Sequence, residues 1–230
     1  LMDVALINQP VTFVLDRAGV TGSDGASHNG VWDMALTSIV PGIRVAAPRD
    51  ADRLREEFQE AIAVETGPTV VRFPKGDVGD PVTELRRTDG GSDILVEPAG
   101  DADEDIPEVL LVAIGEFSKN AVQVARELND DGARITVVDP RWIIPINPEL
   151  IDMAAEADLV VVYEDGVVRG GIGSALSEAL SAAEVDTPLR RLAFPDIFPP
   201  HASRSELLAE VGLDADSARE SIREWIEGLA

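Results

Sequence analysis

The chain has 230 residues, 45% of them hydrophobic, which is enough for one large domain or two small ones around a sizeable core. Its 19 basic and 43 acidic residues give a net charge of −24, which excludes a nucleic-acid backbone as partner because that binding needs a basic face. The absence of cysteine excludes disulfides and thiolate chemistry, two histidines leave little for a zinc site, and no apolar run nears the roughly 20 residues that span a bilayer.

The chain opens on MDVALINQ, which reads as the tail of a helix. VTFVL at 11–15 is short, apolar and β-branched, the pattern of a buried strand. IRVAA at 43–47 and TVVRF at 69–73 repeat it. Between them Leu54, Phe58, Ala61 and Ile62 follow the spacing of an amphipathic helix, with Asp50 placed to cap it. This alternation predicts a parallel sheet, and three strands in 75 residues leave that sheet unfinished. Residues 1–75 therefore read as the C-terminal half of a larger domain. The stretch 76–107 is rich in Gly, Pro and Asp and reads as a linker, with a short strand expected at DILVE.

A second unit is expected over 108–230. EVLLVAIG is a strand. Ser118 is placed to cap the next helix, with Phe117 and Val122 as its hydrophobic staple, Ala121, Val124, Ala125 and Leu128 as its apolar face, and Gly132 as its end. RITVVD, DLVVVY and LRRLAF read as strands, the last with a charged edge, and PELIDMAAEA and GSALSEALSAA as helices. Two capping boxes, Ser203-x-x-Glu206 and Ser217-x-x-Glu220, announce two more helices, the last with Ile222, Trp225, Ile226 and Leu229 on one face. The pattern predicts a complete α/β domain with a parallel sheet.

The candidate site is the loop DRAGVTGSDGASHNG, Asp16 to Gly30. It follows the carboxyl end of a predicted parallel strand, where open α/β sheets place ligands. Its glycines allow positive φ and close backbone approach. Arg17 is a fork of donors suited to phosphate, Asp24 can accept from a sugar-like hydroxyl, and His28 can move a proton near neutral pH. A surface loop of turn glycines and solvated charges fits the same spacing. Elsewhere, Arg72 is expected to pair with a carboxylate, Asp16 to order the Arg17 loop, and Trp32 and Trp142 to pack. His201 sits in a loop where it can cap a helix or meet a neighbouring subunit. Gly170, Gly171 and Gly173 do not complete G-x-G-x-x-G, since Leu176 holds the third position. They read as a packing turn, with a bound anion at the helix start as the alternative.

PVTFVLDRAGVTGSDGASHNGVWD, PGIRVAAPRDADRLREE and GPTVVRFPKG resemble the 1-deoxy-D-xylulose-5-phosphate synthases of the thiamine-diphosphate transketolase superfamily. The second half resembles them through LLVAIGEFSKNAVQVARELN, RITVVDPRWIIPI, VVVYEDGVVRGGIGSAL and FPPHASRSELLAEVGLD, and the FPKGD variant is similar to actinobacterial members. The resemblance implies half of a pyrimidine-binding domain followed by a transketolase C-terminal domain. It implies a cytoplasmic, homodimeric transferase using thiamine diphosphate and Mg²⁺, which joins pyruvate to D-glyceraldehyde 3-phosphate with loss of CO₂ on the way to isoprenoid precursors, thiamine and pyridoxal. By the same resemblance Arg17 binds the acceptor's phosphate, and Lys75 replaces a second arginine, keeping its charge but not its fork. Asp24 contacts the acceptor's hydroxyls, and His28 lies beside the cofactor and its adduct. The family's cofactor-activating glutamate and its GDG…N metal motif find no match here. Glu164-Asp165-Gly166 is only superficially similar, so no metal ligand is expected and the chain alone is expected to be inactive. Two rival readings are a separate β-type subunit of a thiamine-diphosphate enzyme and a non-enzymatic dimerisation module. The first is disfavoured by the missing glutamate, and the second gives Asp24 and His28 no role.

Overall fold

The computed structural model describes residues 1–77, 79–100 and 105–229. Val78, residues 101–104 of the expected linker and Ala230 at the end of the expected second domain lie outside the described residues.

In chain order the first elements are α1 (Met2–Leu6), β1 (Thr12–Ala18), a 3₁₀ turn (Ala26–His28), α2 (Asp33–Ser38), β2 (Arg44–Ala46), α3 (Ala51–Ile62) and β3 (Thr69–Pro74). The middle of the chain adds β4 (Arg86–Arg87) and β5 (Asp93–Val96). Then follow β6 (Glu108–Ala113), α4 (Phe117–Asp130), β7 (Arg134–Asp139), β8 (Trp142–Ile144), α5 (Pro148–Ala155), β9 (Leu159–Val167), α6 (Ile172–Ala182), β10 (Leu189–Phe194), α7 (Arg204–Glu210) and α8 (Ala215–Glu227). No helix among the described residues is long and apolar enough to cross a membrane.

The strands form two sheets. The first has the order β1-β3-β2-β8, with β1 and β2 parallel to β3 and β8 antiparallel to β2. The second has the order β10-β9-β6-β7-β5-β4, parallel from β10 to β7 and closed by antiparallel β5 and β4. The expected strand at DILVE is β5, which joins the second sheet between β7 and an unexpected edge strand, β4. β8 was not expected from the sequence. It lies in the C-terminal half of the chain but pairs with the first sheet.

The pleat of β6 divides the core. Val109, Leu111 and Ala113 face α4, α7 and α8, while Leu110, Val112 and Ile114 face the other way. That second face packs not only on α5 and α6 but also on Met34, Ile43, Val45 and Val70 of the first unit. The two halves thus share one hydrophobic layer.

Four local expectations are corrected. VTFVL is an edge strand, and Val14 is 48% exposed. In α3 Ala61 is buried, but Phe58 and Ile62 are exposed and Glu57 is buried instead, because the helix turns its charged side toward an arginine cluster. Helix α4 begins at Phe117, one residue before the expected cap, so Ser118 lies inside it and fully buried. Phe117 stacks on Tyr163 with centroids 4.3 Å apart, which draws the first turn into the core. Asp214, not Ser217, caps α8: its carboxylate accepts from the Ser217 amide at 3.1 Å and the Ser217 hydroxyl at 2.6 Å. The Ser203–Glu206 capping box forms as expected.

One side chain fastens these parts together. Arg49 is fully buried just ahead of α3 and donates from Nη1 to Asp93 and Asp139 at 2.7 Å each, from Nη2 to Glu84 at 2.8 Å and from Nε to the Val82 carbonyl at 2.8 Å. Around it Arg87 bridges Glu56 and Asp93, and Arg141 bridges Glu56 and Glu60. Trp142 adds an indole N–H to Glu60 at 2.7 Å. Removing one member of a buried ion group strands the others without counter-charge and costs about 3–5 kcal/mol. Arg49→Met is therefore expected to lower the unfolding free energy of the chain by about that amount in urea titrations. Arg49→Lys should fall between, because an ammonium cannot span three carboxylates as the fork does.

Candidate functional site

The loop after β1 is held closed at its neck. Pairing between β1 and β3 shifts register between Leu15 and Ala18, so Asp16 and Arg17 sit on an irregularity at the strand's carboxyl end. Gly19 and Gly30 then meet in an antiparallel bridge, with the Gly30 amide 2.7 Å from the Gly19 carbonyl. A Cβ on Gly30 would lie 2.4 Å from the Arg17 carbonyl oxygen, so the two limbs approach as only glycine permits. Asn29 braces the interior: its Oδ1 accepts from the Thr21 amide and its Nδ2 donates to the Gly25 carbonyl, both at 2.9 Å.

Three of the four sequence candidates come together. Asp24 stands between two cations, with Arg17 Nη1 at 2.9 Å and Lys75 Nζ at 2.7 Å. The hydrogen bond from Lys75 chiefly holds the Asp24 carboxyl below its ordinary range. Arg17 and Lys75 also line a cleft of about 390 Å³, together with Asp16, Leu54, Phe73 and Glu116. Two partly exposed cations at one cleft can hold an anion such as a phosphate ester. His28 is apart from this group. It ends the 3₁₀ turn, exposed, with Nδ1 3.0 Å from the Ser27 hydroxyl, and it does not line the cleft.

The Asp16 side chain makes no hydrogen bond or ion pair among the described residues, so it does not order the loop as expected; it faces the cleft. Phe73 and Glu116 are cleft residues that the sequence reading missed. Both follow the rule that found Arg17, since Phe73 lies near the carboxyl end of β3 and Glu116 just beyond that of β6. Arg72 pairs with Asp33 at 2.7 Å, as expected. Trp32 packs against Phe198, with ring centroids 5.4 Å apart. His201 is exposed beside the loop, where a Cβ on Gly25 would lie 3.9 Å from its ring.

The Glu164-Asp165-Gly166 segment does not fit a diphosphate-bound metal, because its carboxylates already have partners. Fully buried Glu164 accepts from the amides of Ile172 at 2.7 Å and Gly173 at 2.9 Å, so the anion at the start of α6 is the chain's own side chain. Burial pushes its carboxyl up to about 7, against those two bonds. Asp165 accepts from the Val20 amide at 3.1 Å and from Arg204 at 2.6 Å.

Residues 1–81 match the family described as transketolase, pyrimidine binding domain, and residues 100–217 match transketolase, C-terminal domain. The chain belongs to the transketolase family. Within that family it is similar over its whole length to proteins named 1-deoxy-D-xylulose-5-phosphate synthase. It is 55% identical to that of Corynebacterium glutamicum (strain ATCC 13032), and 53% identical to that of Mycobacterium tuberculosis (strain ATCC 25177 / H37Ra). The chain spans about 36% and 35% of the length of these two relatives. Among solved structures a split gene transketolase, described as an inactive beta4 tetramer, superposes with a TM-score of 0.82 at 28% identity, covering 97% of this chain and 69% of that one.

The Asp24 carboxylate pairs with both cations, Arg17 and Lys75, that line the cleft. Asp24→Asn should raise the affinity of the chain for inorganic phosphate several-fold, because an amide competes poorly for Arg17 and Lys75. Amide chemical shifts followed during a phosphate titration would show it, and Arg17→Ala should abolish the response.

Proposed function

We propose that the chain is the C-terminal part of a 1-deoxy-D-xylulose-5-phosphate synthase and carries its acceptor-phosphate site. The observation that carries this reading is the convergence of Arg17 and Lys75 at one cleft, with Asp24 paired to both. The names of the relatives and their identity over the whole chain support the same reaction. Pyruvate and D-glyceraldehyde 3-phosphate would combine to give 1-deoxy-D-xylulose 5-phosphate and CO₂. Thiamine diphosphate, bound with Mg²⁺, would supply the electron sink that lets pyruvate lose CO₂.

This chain's residues take up the acceptor. Arg17 and Lys75 bind its phosphate, and Asp24, released from them by the incoming anion, accepts from its hydroxyls. His28 serves the reacting end. Its Nε2 has no hydrogen-bond partner among the described residues, so it can meet a bound ligand there. Within this reading the intact protein is a cytoplasmic homodimer. Leu36, Ile39 and Phe198, exposed by 65%, 70% and 77%, supply apolar surface for such contacts. A second reading, a separate β-type chain, is favoured by the likeness to the split gene transketolase. Both readings make this chain inactive alone, and turnover by the purified chain with pyruvate, glyceraldehyde 3-phosphate, thiamine diphosphate and Mg²⁺ would refute them.

The residue roles separate kinetically. Losing a charged hydrogen bond costs about 1.5–3 kcal/mol, roughly a 10- to 150-fold effect. In the full-length enzyme Arg17→Ala should raise KM for glyceraldehyde 3-phosphate by that factor and leave pyruvate KM nearly unchanged. Lys75→Ala should do so more weakly, and His28→Ala should lower kcat instead. Steady-state kinetics with both substrates varied would decide. Equal changes in the two KM values for Arg17→Ala would rule out an acceptor-phosphate site.

A further inference from the structure

Two charged residues of the C-terminal half grip the neck of the site loop. Val20, fully buried, has both backbone groups taken from across the domain boundary: its amide donates to Asp165 Oδ1 at 3.1 Å, and its carbonyl accepts from Arg204 Nη1. Arg204 Nη2 also meets Asp165 Oδ2 at 2.6 Å and the carboxylate of Glu116, a wall of the cleft. The fit is close on both sides of Val20. A Cβ on Gly19 would fall 1.9 Å from Asp165 Oδ2, and one on Gly22 would fall 2.6 Å from the Arg204 amide nitrogen. From behind, Arg72 of β3 donates to the Asp165 carbonyl at 3.2 Å while holding Asp33.

Burial pushes the Asp165 carboxyl up to about 7 and the Arg204 guanidinium down to about 10. The 2.6 Å contact between them favours the charged form of each. A buried ion pair is a poor source of stability compared with apolar packing. What this one supplies is direction: a planar fork fixes a carbonyl, a carboxylate and the cleft wall at once.

We propose that Asp165 and Arg204 are positioning residues for the acceptor loop, so that the C-terminal domain sets the geometry of the phosphate site as well as packing against it. The proposal rests on the reading of Arg17, Asp24 and Lys75 as that site. Val20 is three residues after Arg17 and four before Asp24, so a shift of Val20 moves both. A displacement of about 1 Å at a reacting or binding group can cost about 100-fold.

The test is steady-state kinetics of the full-length enzyme with both substrates varied. Arg204→Gln should raise KM for glyceraldehyde 3-phosphate about tenfold or more, with pyruvate KM and kcat at saturating aldehyde within about twofold of the parent. Arg204→Lys, which keeps the charge and loses the fork, should recover part of the loss. Asp165→Asn preserves size and an acceptor for the Val20 amide, and it decides by the same split should Arg204→Gln not fold. Arg17→Ala is measured alongside. If it leaves the aldehyde KM unchanged, the phosphate-site reading falls and the positioning role with it. If Arg17→Ala responds but the Arg204 and Asp165 variants change neither KM, or raise both equally, the site stands and the positioning role is overturned.

Discussion

A single guanidinium, that of Arg49, binds three stretches of chain that are far apart in sequence. It leaves the loop before α3, takes Glu84 and Asp93 from the middle segment and reaches Asp139 at the end of β7, with its own side chain and those of Asp93 and Asp139 fully buried. Such a group is costly to bury unless every charge is matched. Once matched, it fixes the relation of its members more sharply than apolar contacts can, because hydrogen bonds have direction and dispersion does not. Burial pushes the Asp139 carboxyl up to about 6 even against the opposing charge and hydrogen bond of the arginine. The placement of the first sheet against the second, and of the cleft between them, follows from this match.

The cleft shows what the match positions. Arg49 and Asp50 line it from the α3 side, Arg17 and Lys75 from the ends of β1 and β3, and Glu116 from the turn before α4. Each strand delivers its residue at the carboxyl end, where parallel sheets open toward ligands. In a chain carrying 24 more negative than positive charges, cations facing a cleft are scarce, and most arginines are absorbed in pairs such as Arg72–Asp33 and Arg134–Glu108. Arg17 and Lys75 share one carboxylate and remain partly exposed, at 55% and 40%. They are therefore available to an anion in a way that Arg49 is not.

The buried carboxylates at 164 and 165 illustrate how a motif-like string can serve the fold. Glu164 satisfies the first amides of α6, a place where helices often receive external anions. Asp165 meets the loop neck through the Val20 amide. The glycines that follow leave room for these contacts: a Cβ on Gly171 would lie 2.4 Å from a Glu164 oxygen. No sequence spacing distinguishes an acidic pair bound to its own backbone from one awaiting a ligand.

Much was legible in the sequence because it depends on local order. The alternation of short apolar runs with amphipathic stretches determined nearly all strands and helices, and the position of DRAG past VTFVL determined where Arg17 would emerge. The Ser203 capping box and the Gly132 terminus are set within a few residues and read true. Tertiary structure decided what depends on partners distant in the chain. It sent WII at 142–144 to the first sheet, turned Glu57 inward and Phe58 outward, and put Lys75 on Asp24 across 51 residues. It also left His28 away from Arg17 and Lys75 although it shares a loop with Asp24, which pairs with both. Periodicity reports which residues prefer to leave water. It does not report which charges will find one another, because that is settled only when the halves close and each buried ion must have a counter-ion within reach.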